Sequence, residues 1–331
     1  MRALQLAQSR SLQWIDLPEP KPPGPGEVLV AIRTVGICGT DLSGYLGKMP
    51  FIEFPRILGH ELGVEVLALG PDVQTLKIGD RCSVEPYLNC GHCHACRQGQ
   101  TNCCETLAVL GVHCDGGMRE RLVLPAHKLH VSETLDFEPL ALVETLAIGC
   151  HAVNRAAILP EDDVLIIGAG PIGLTVLEFA RLASSRLTVL ELSASRRAFV
   201  RQHYPGVTVV ETLPDEPAAQ VVFDATGNAN SMARALSLAR FTGRIVYVGI
   251  TKDPILLDDP LLHRRELTLL ASRNAQASDF PRILGLIQQG QINTQPWITH
   301  RADWDNLPAL METLTTPGTE SVKAIVRIPG S

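Results

Sequence analysis

The pattern of hydrophobic and polar positions changes character near the middle of the chain. Up to about Lys128 it consists of short strand-like runs, such as residues 28–33 and 63–68, separated by turns rich in proline and glycine. That arrangement is typical of a β-rich, barrel-like domain. From Glu161 onward, apolar strand runs alternate with helical segments. The alternation predicts a parallel, doubly wound sheet with right-handed crossovers, so the fold class is α/β plus β.

The individual elements of the second half can be placed from the same pattern. Strands are predicted at 164–167, 187–191, 221–224, 244–248 and 267–270, and helices at 171–183 and 194–204. From about Phe280 the pattern is mixed, and this stretch is expected to pack back on the first domain. We therefore predict a catalytic domain over 1–150, a dinucleotide-binding domain over 151–280 and a return segment over 281–331.

Charge, apolar runs and cysteine content limit the partners and the cellular compartment that the protein could have. The 331 residues carry a net charge of −6 without a lysine or arginine run, which argues against nucleic acid and anionic membranes as partners. The longest apolar run, near 164–177, is interrupted by glycine and proline and is too short to span a bilayer. Nine cysteines without a signal-peptide pattern favour a cytoplasmic location.

Four cysteines follow one another at short intervals in the first half. Cys90, Cys93, Cys96 and Cys104 have the spacing C-x2-C-x2-C-x7-C. Such spacing allows four thiolates to bind one tetrahedral Zn²⁺ and leaves no position for substrate, so the ion is expected to be structural. Disulfides are the disfavoured alternative.

A glycine motif lies between the first strand and the first helix of the second half. Gly168, Gly170 and Gly173 form G-x-G-x-x-G, with Pro171 and Ile172 inside it. The first glycine permits a tight turn, the second a close approach of pyrophosphate, and the third close helix packing. The alternative is that these glycines serve helix packing alone.

The identity of the dinucleotide depends on the next strand. Glu191 follows Gly173 at about the interval expected for the acid that binds the ribose hydroxyls, which favours NAD over NADP. Arg196 and Arg197 weaken this prediction because an arginine can bind a 2′-phosphate, and Glu191 could instead be a solvated acid. Arg196 and Thr226 are included among the expected cofactor-binding residues.

A second, open metal site is also possible in the first half. Cys38 lies in Gly-Ile-Cys-Gly-Thr-Asp (36–41), and His60 and Glu61 lie in Leu-Gly-His-Glu (58–61). Cysteine, histidine and a carboxylate would supply three ligands and leave a fourth position for water or substrate. Their separation along the chain does not prove that they converge.

Taken together, these segments resemble the zinc-dependent medium-chain dehydrogenases/reductases over essentially the whole chain. The resemblance rests on residues 36–41, 59–61, 79–81, 115–117 and 168–173 and on the four-cysteine segment. Residues 55–61 and 110–117 are most similar to the polyol and sugar-acid branch, which includes sorbitol, threonine, idonate, galactonate and gulonate dehydrogenases. The resemblance implies a GroES-like catalytic domain beside a Rossmann domain, with two zinc ions per chain, NAD, and a homodimer or homotetramer.

The resemblance also implies roles for individual residues. Cys38 and His60 match catalytic zinc ligands, and Glu61 matches an acid that binds the zinc or exchanges with water. Glu144 matches a further carboxylate ligand, although it could be an ordinary acid at a helix start. Thr40 matches the hydroxyl that bonds the alcohol oxygen, and Asp41 matches the acid that orients the ligating histidine.

Two departures from the family pattern concern the proton path and a turn. Ser43 occupies a position where the family often has the histidine that ends a proton relay, and Thr145 replaces a common proline.

The substrate pocket has four candidate wall residues, which are Tyr45, Met118, Arg119 and Arg273. Arg119 is either a clamp for a substrate carboxylate or a partner of Glu120.

The sequence therefore predicts a zinc-dependent, NAD-linked enzyme that reversibly oxidises a secondary alcohol in a small-molecule polyol or sugar acid to the ketone. The alternatives are an NADP-linked primary-alcohol or aldehyde oxidoreductase and a catalytically idle regulator that binds NAD or zinc. Intact ligand candidates argue against the regulator, since a binding protein has no need of an open metal site.

Overall fold

The structure is a computed structural model that describes residues 1–329. The chain divides into two compact units. One comprises Met1–Glu144 together with the residues from Gln276 onward, and the other comprises Thr145–Ala275. Within residues 1–329 we find no helix with both the length and the apolar character needed to cross a bilayer.

The first part of the chain is dominated by strands, as the sequence pattern predicts. Its strands are β1 (Arg2–Gln8), β2 (Ser11–Asp16), β3 (Glu27–Ile37), β4 (Arg56–Ile57), β5 (Glu61–Leu69), β6 (Arg81–Val84), β7 (Tyr87–Leu88), β8 (Ala108–Val109), β9 (Arg121–Pro125) and β10 (Leu129–Val131). Its short helices are α1 (Gly39–Tyr45) and α2 (His94–Arg97), and the long helix α3 (Phe137–Ala156) follows.

The second unit alternates strands and helices. In chain order these are β11 (Val164–Ile167), α4 (Pro171–Ala183), β12 (Leu187–Leu190), α5 (Ala194–His203), β13 (Thr208–Val210), β14 (Ala219–Asp224), α6 (Ala229–Leu238), β15 (Ala239–Tyr247), α7 (Asp259–Arg264) and β16 (Thr268–Ala271). The six strands form one parallel sheet in the order β13-β12-β11-β14-β15-β16. The predicted doubly wound parallel sheet is confirmed, and β15 begins earlier than its predicted start at Arg244.

The return segment adds α8 (Asp279–Gln288), β17 (Ile298–Asp303), α9 (Leu307–Thr315) and β18 (Lys323–Arg327). In the first unit, β18 pairs with β3, and the sheet runs β10-β6-β5-β3-β18-β17 with β9 also on β3. The last strand of the chain therefore lies beside a strand from its beginning. This pairing determines the surroundings of the candidate site.

Each unit has its own hydrophobic core. In the first unit, alternate residues of β3 and β5, including Val30, Ile32, Leu62 and Val64, pack with Trp304 of the return segment. In the second unit, Leu165, Val222 and Ile245 point from the parallel strands into a core shared with α6. These cores fix the strand ends that carry the chemically reactive side chains.

Candidate active site

The strand pairing of the first unit brings Cys38, His60 and Glu61 together. Cys38 immediately precedes α1 at the end of β3, and Glu61 begins β5, where it pairs with Gly36 of β3. One donor atom from each of the three residues lies within 4.8 Å of the other two. His60 and Glu61 are buried, and Cys38 is partly exposed. The convergence that spacing along the chain could not establish therefore follows from β3–β5 pairing.

Asp41 supports the histidine of this cluster. The carboxylate of Asp41 is fully buried, accepts hydrogen bonds from the backbone amides of Cys38 (2.9 Å) and Gly59 (3.2 Å), and lies 3.7 Å from Nδ1 of His60. Burial raises the pKa of Asp41, partly offset by His60. For His60, burial acts to lower the pKa, but Asp41 and Cys38 outweigh it and hold the pKa well above its usual value. The pair is arranged to orient the imidazole.

Glu144 lies in α3, and its carboxylate is also buried. Oε1 accepts a hydrogen bond from the Tyr87 hydroxyl. Burial raises the pKa of Glu144, while the charge of His60 opposes the increase. Because α3 begins at Phe137, the alternative that Glu144 is an acid at a helix start is wrong. Glu144 is not part of the group whose donor atoms lie within 4.8 Å of one another in the described chain.

Sequence reasoning missed two neighbours of this cluster. Lys323, at the start of β18, is 2% exposed at its side chain and donates to Oε1 of Glu61. Burial acts to lower the pKa of Lys323, but Glu61 and Cys38 raise it above its usual value, so the amine stays charged. Tyr87 is 2% exposed, and its pKa is raised well above the usual value by burial and then by Glu144, so it remains a hydroxyl donor.

The donor set fits a divalent ion such as Zn²⁺. A thiol, an imidazole and a carboxylate are the ligand types of open, catalytic zinc sites. A thiolate at Cys38 and a buried carboxylate at Glu61 would carry negative charge that a divalent cation and Lys323 together would balance. Thr40 lies in the first turn of α1, two residues after Cys38, and is half-buried.

The four cysteines of the second cluster also converge. The Sγ atoms of Cys90, Cys93, Cys96 and Cys104 lie within 4.8 Å of one another. Backbone amides donate to the sulfurs, from Cys93 to Cys90 and from Cys90 to Cys104, each at 3.3 Å. Such amides lower the pKa of Cys90 to about 6 and lower that of Cys104, whereas burial raises the pKa of Cys96 to about 11. Within residues 1–329 no cysteine is disulfide-bonded. Four converging sulfurs suit a closed zinc site.

The glycine motif has the geometry of a dinucleotide cradle. Gly168 has φ +92°, in the left-handed region, and a Cβ at Gly173 would lie 1.8 Å from the Gly168 carbonyl oxygen. A Cβ at Gly170 would meet only Arg196 Nη1, at 3.6 Å, so the backbone is open there. Pro171 and Ile172 form the first turn of α4.

Glu191 and Thr226 border this cradle. Glu191 is 7% exposed; its oxygens accept from the amides of Ala169 and Ser193, both at 2.7 Å. It is therefore not a solvated surface acid. Arg196 lies 3.9 Å from Glu191, and Thr226 donates to Asp224 at 2.6 Å and lies against Gly168.

Two of the candidate pocket walls are residues of the hydrophobic core. Met118 is fully buried and Tyr45 is 8% exposed, and both belong to the hydrophobic core. Arg119 donates to the Asp115 carbonyl at 3.0 Å, and the Glu120 carboxylate accepts from the backbone amide of Arg2. The alternative that Arg119 pairs with Glu120 is therefore wrong.

Comparison with known proteins identifies the family. Residues 24–133 match the alcohol dehydrogenase GroES-like domain, and residues 171–289 match the zinc-binding dehydrogenase model. The chain is 37% identical to L-galactonate-5-dehydrogenase of Escherichia coli K12, covering 98% of both proteins. An alcohol dehydrogenase from Escherichia coli CFT073 complexed with NADH has a TM-score of 0.91 at 27% identity, covering 99% of each chain.

A further solved structure bears on the cofactor. A zinc-binding dehydrogenase from Sinorhizobium meliloti 1021 bound to NADP has a TM-score of 0.88 at 28% identity, covering 98% of each chain. The chain is thus an oxidoreductase acting on alcohols, and it belongs to the zinc-dependent medium-chain dehydrogenase/reductase family, in the branch of polyol and sugar-acid dehydrogenases.

Proposed function

We propose that the protein is a zinc-dependent, NAD-linked dehydrogenase that reversibly oxidises a secondary alcohol of a polyol or sugar acid to the ketone. The observation that carries the proposal is the convergence of Cys38, His60 and Glu61 in one buried cluster. Three protein ligands leave a position for an alcohol oxygen, unlike the four-cysteine cluster. The similarity to a dehydrogenase named for L-galactonate supports the substrate class.

In this proposal Cys38 and His60 would hold the catalytic zinc with Glu61 as the third ligand, and Glu144 would supplement or replace Glu61 as a further carboxylate ligand. Zinc supplies Lewis-acid chemistry that lowers the proton affinity of an alcohol oxygen. Asp41 keeps the imidazole of His60 in its ligating orientation. The Thr40 hydroxyl takes the alcohol proton and passes it to water, a ribose hydroxyl or another side chain, since Ser43 cannot act as the imidazole relay of other members. Bound NAD⁺ would supply the acceptor for the hydride that leaves the alcohol carbon.

NAD is the favoured cofactor because a buried carboxylate at Glu191 would repel a 2′-phosphate. Glu191 is also held by two backbone amides, so it cannot easily move away. The second candidate is NADP. Arg196, which is half exposed beside Glu191 and Gly170, could bind the 2′-phosphate, and one similar structure contains NADP. Two further parts complete the proposal: a homodimer or homotetramer, which the family resemblance implies, and a cytoplasmic location, which the nine cysteines favour.

Initial rates across neutral polyols and sugar acids, each with NAD⁺ and with NADP⁺, test the proposal. We expect a secondary alcohol to be oxidised with NAD⁺ at least about ten-fold more efficiently than with NADP⁺, a difference of about 1.4 kcal/mol. Preference for NADP⁺ would instead mean that NADP is the cofactor and that Arg196 binds its 2′-phosphate. Preference for primary alcohols would contradict the substrate class. Absence of turnover in zinc-replete protein that still binds NAD would favour the idle regulator.

A further inference from the structure

Tyr87 lies on the short chain segment that leads from the candidate active site to the four-cysteine cluster. It belongs to β7, three residues before Cys90, and its side chain is almost completely buried. Its hydroxyl donates to Oε1 of Glu144. A phenol is a directional donor, so this bond fixes one carboxylate oxygen and leaves the other, Oε2, to be offered to a metal ion.

The segment around Tyr87 is anchored on both sides by one buried lysine. Lys128, 3% exposed, donates to Oε1 of Glu85 and, at 2.8 Å, to Oδ1 of Asn89. Glu85 and Asn89 are the residues two positions before and two positions after Tyr87. One ammonium group therefore fixes both ends of a five-residue stretch whose central side chain reaches Glu144.

The same segment is connected to the four-cysteine cluster. The side-chain amide of Asn89 donates to Sγ of Cys96 at 3.7 Å, and Cys90 follows directly in the chain. Burial and ion pairing limit the movement of Glu85 and Lys128, because separating a buried pair leaves an uncompensated charge. A continuous set of hydrogen bonds thus runs from Cys96 through Asn89 and Lys128 to the stretch that carries Tyr87.

We propose that Tyr87 is a positioning residue for the catalytic metal. It holds Glu144 in the orientation that binds the ion, and the segment anchored by Lys128 and the four-cysteine cluster holds Tyr87 in place. The inference rests on the proposed function, since it requires a zinc ion at Cys38, His60 and Glu144. It assigns the four-cysteine cluster a second role besides local stability, which is to keep the geometry of the neighbouring metal site.

The second unit provides a matched control. Tyr204 donates to Oε1 of Glu178 at 2.8 Å, and both side chains are buried. This is also a tyrosine–glutamate hydrogen bond in a core, but the other partner of Glu178 is Arg181 rather than a metal-ligand candidate. A purely structural role for Tyr87 would make Tyr87→Phe and Tyr204→Phe behave alike.

The experiment measures zinc affinity by competition with a fluorescent chelator in the zinc-loaded full-length protein. The weaker class of zinc is assigned to the open cluster if it disappears in Cys38→Ser. We expect Tyr87→Phe to weaken this class about ten-fold, as is typical when a group that orients a ligand is removed, and Tyr204→Phe to leave it unchanged. In a Glu144→Gln background, Tyr87→Phe should cause no further loss, because the two residues act as a unit.

Zinc affinity of Tyr87→Phe within two-fold of wild type would overturn the inference, as would an equal loss in the Glu144→Gln background. Failure of the proposed function looks different, because Cys38→Ser would then retain both classes of zinc. Melting temperatures of the Tyr87 and Tyr204 variants are compared in parallel. A similar decrease in both, with a zinc effect only in Tyr87→Phe, supports positioning over general destabilisation.

Discussion

The two candidate metal clusters of the first unit are built in opposite ways. The four sulfurs of one cluster come from a single stretch, Cys90–Cys104, and are oriented by amides of that same stretch. The other cluster joins the end of β3 to the start of β5, and its neighbours include Glu144 of α3 and Lys323 of β18, which lies 262 residues from Glu61 along the chain. The ligands of the closed cluster are positioned by their own loop. The ligands of the open cluster are positioned by several strands of the domain, which hold negatively charged groups close together although these groups repel one another.

This difference suggests a division of labour. The closed cluster has no position for a substrate, so its ion contributes to folding. The open cluster collects two carboxylates, a thiol and a buried lysine, a costly arrangement unless a metal ion and its chemistry require it. Removing one side chain from each cluster and measuring the stability and the activity of both variants tests this division of labour.

A large decrease in stability is expected from Cys96→Ser. Loss of one of four sulfur ligands should lower the melting temperature by about 6–12 °C, taking roughly 3 kcal/mol at about 2–4 °C per kcal/mol. Cys38→Ser should change it by less than about 2 °C, because the open cluster is held by the surrounding sheet. Differential scanning calorimetry of both variants checks this prediction, and equal decreases in melting temperature would mean that the two clusters contribute equally to stability.

A decrease in stability of comparable size is expected from Lys323→Met. Removing the ammonium takes away the buried positive charge that pairs with Glu61, which should reduce the free energy of unfolding by about 3–5 kcal/mol. The control is Arg33→Met, which removes the half-buried Arg33–Glu65 pair of the same sheet and should cost about 1 kcal/mol.

Urea unfolding at neutral pH measures both variants. Adding Glu61→Gln to Lys323→Met should recover at least half of the loss in free energy of unfolding, because the buried negative charge is then absent as well. An equal loss in the free energy of unfolding for Lys323→Met and Arg33→Met would mean that the buried Lys323–Glu61 pair contributes no more to stability than a half-buried pair.

Features formed by one continuous stretch of the chain could be predicted from the sequence, whereas features that depend on long-range pairing could not. The four-cysteine spacing and the glycine motif are local, and the predicted helix Pro171–Ala183 and strand Val164–Ile167 match the structure at both ends. In parallel strands buried on both faces, apolar runs bounded by glycine identify the elements well. The helix predicted to end at Tyr204 ends one residue earlier, within the usual fraying of helix ends.

The residues that sequence reasoning missed depend on long-range pairing. Lys323 reads as an ordinary charged residue near the end of the chain, and only the pairing of β18 with β3 places it beside Glu61. Tyr87 reads as an aromatic residue before a cysteine motif, and its contact with Glu144 depends on how α3 packs. The sequence offered only an indirect indication of these two residues. Two carboxylates near one metal ion require a further cation or hydrogen-bond donor beside them.

The roles of the predicted site residues stay predictions, and one measurement tests the central one most directly. Zinc content per chain is determined by mass spectrometry for wild type and Cys38→Ser, with turnover measured on the same samples. We predict about two zinc ions in wild type and about one in the variant, with a decrease in turnover of at least about 10³-fold and unchanged NAD binding. Full activity in the variant, or two zinc ions retained in it, would contradict the assignment of Cys38 to a catalytic metal site.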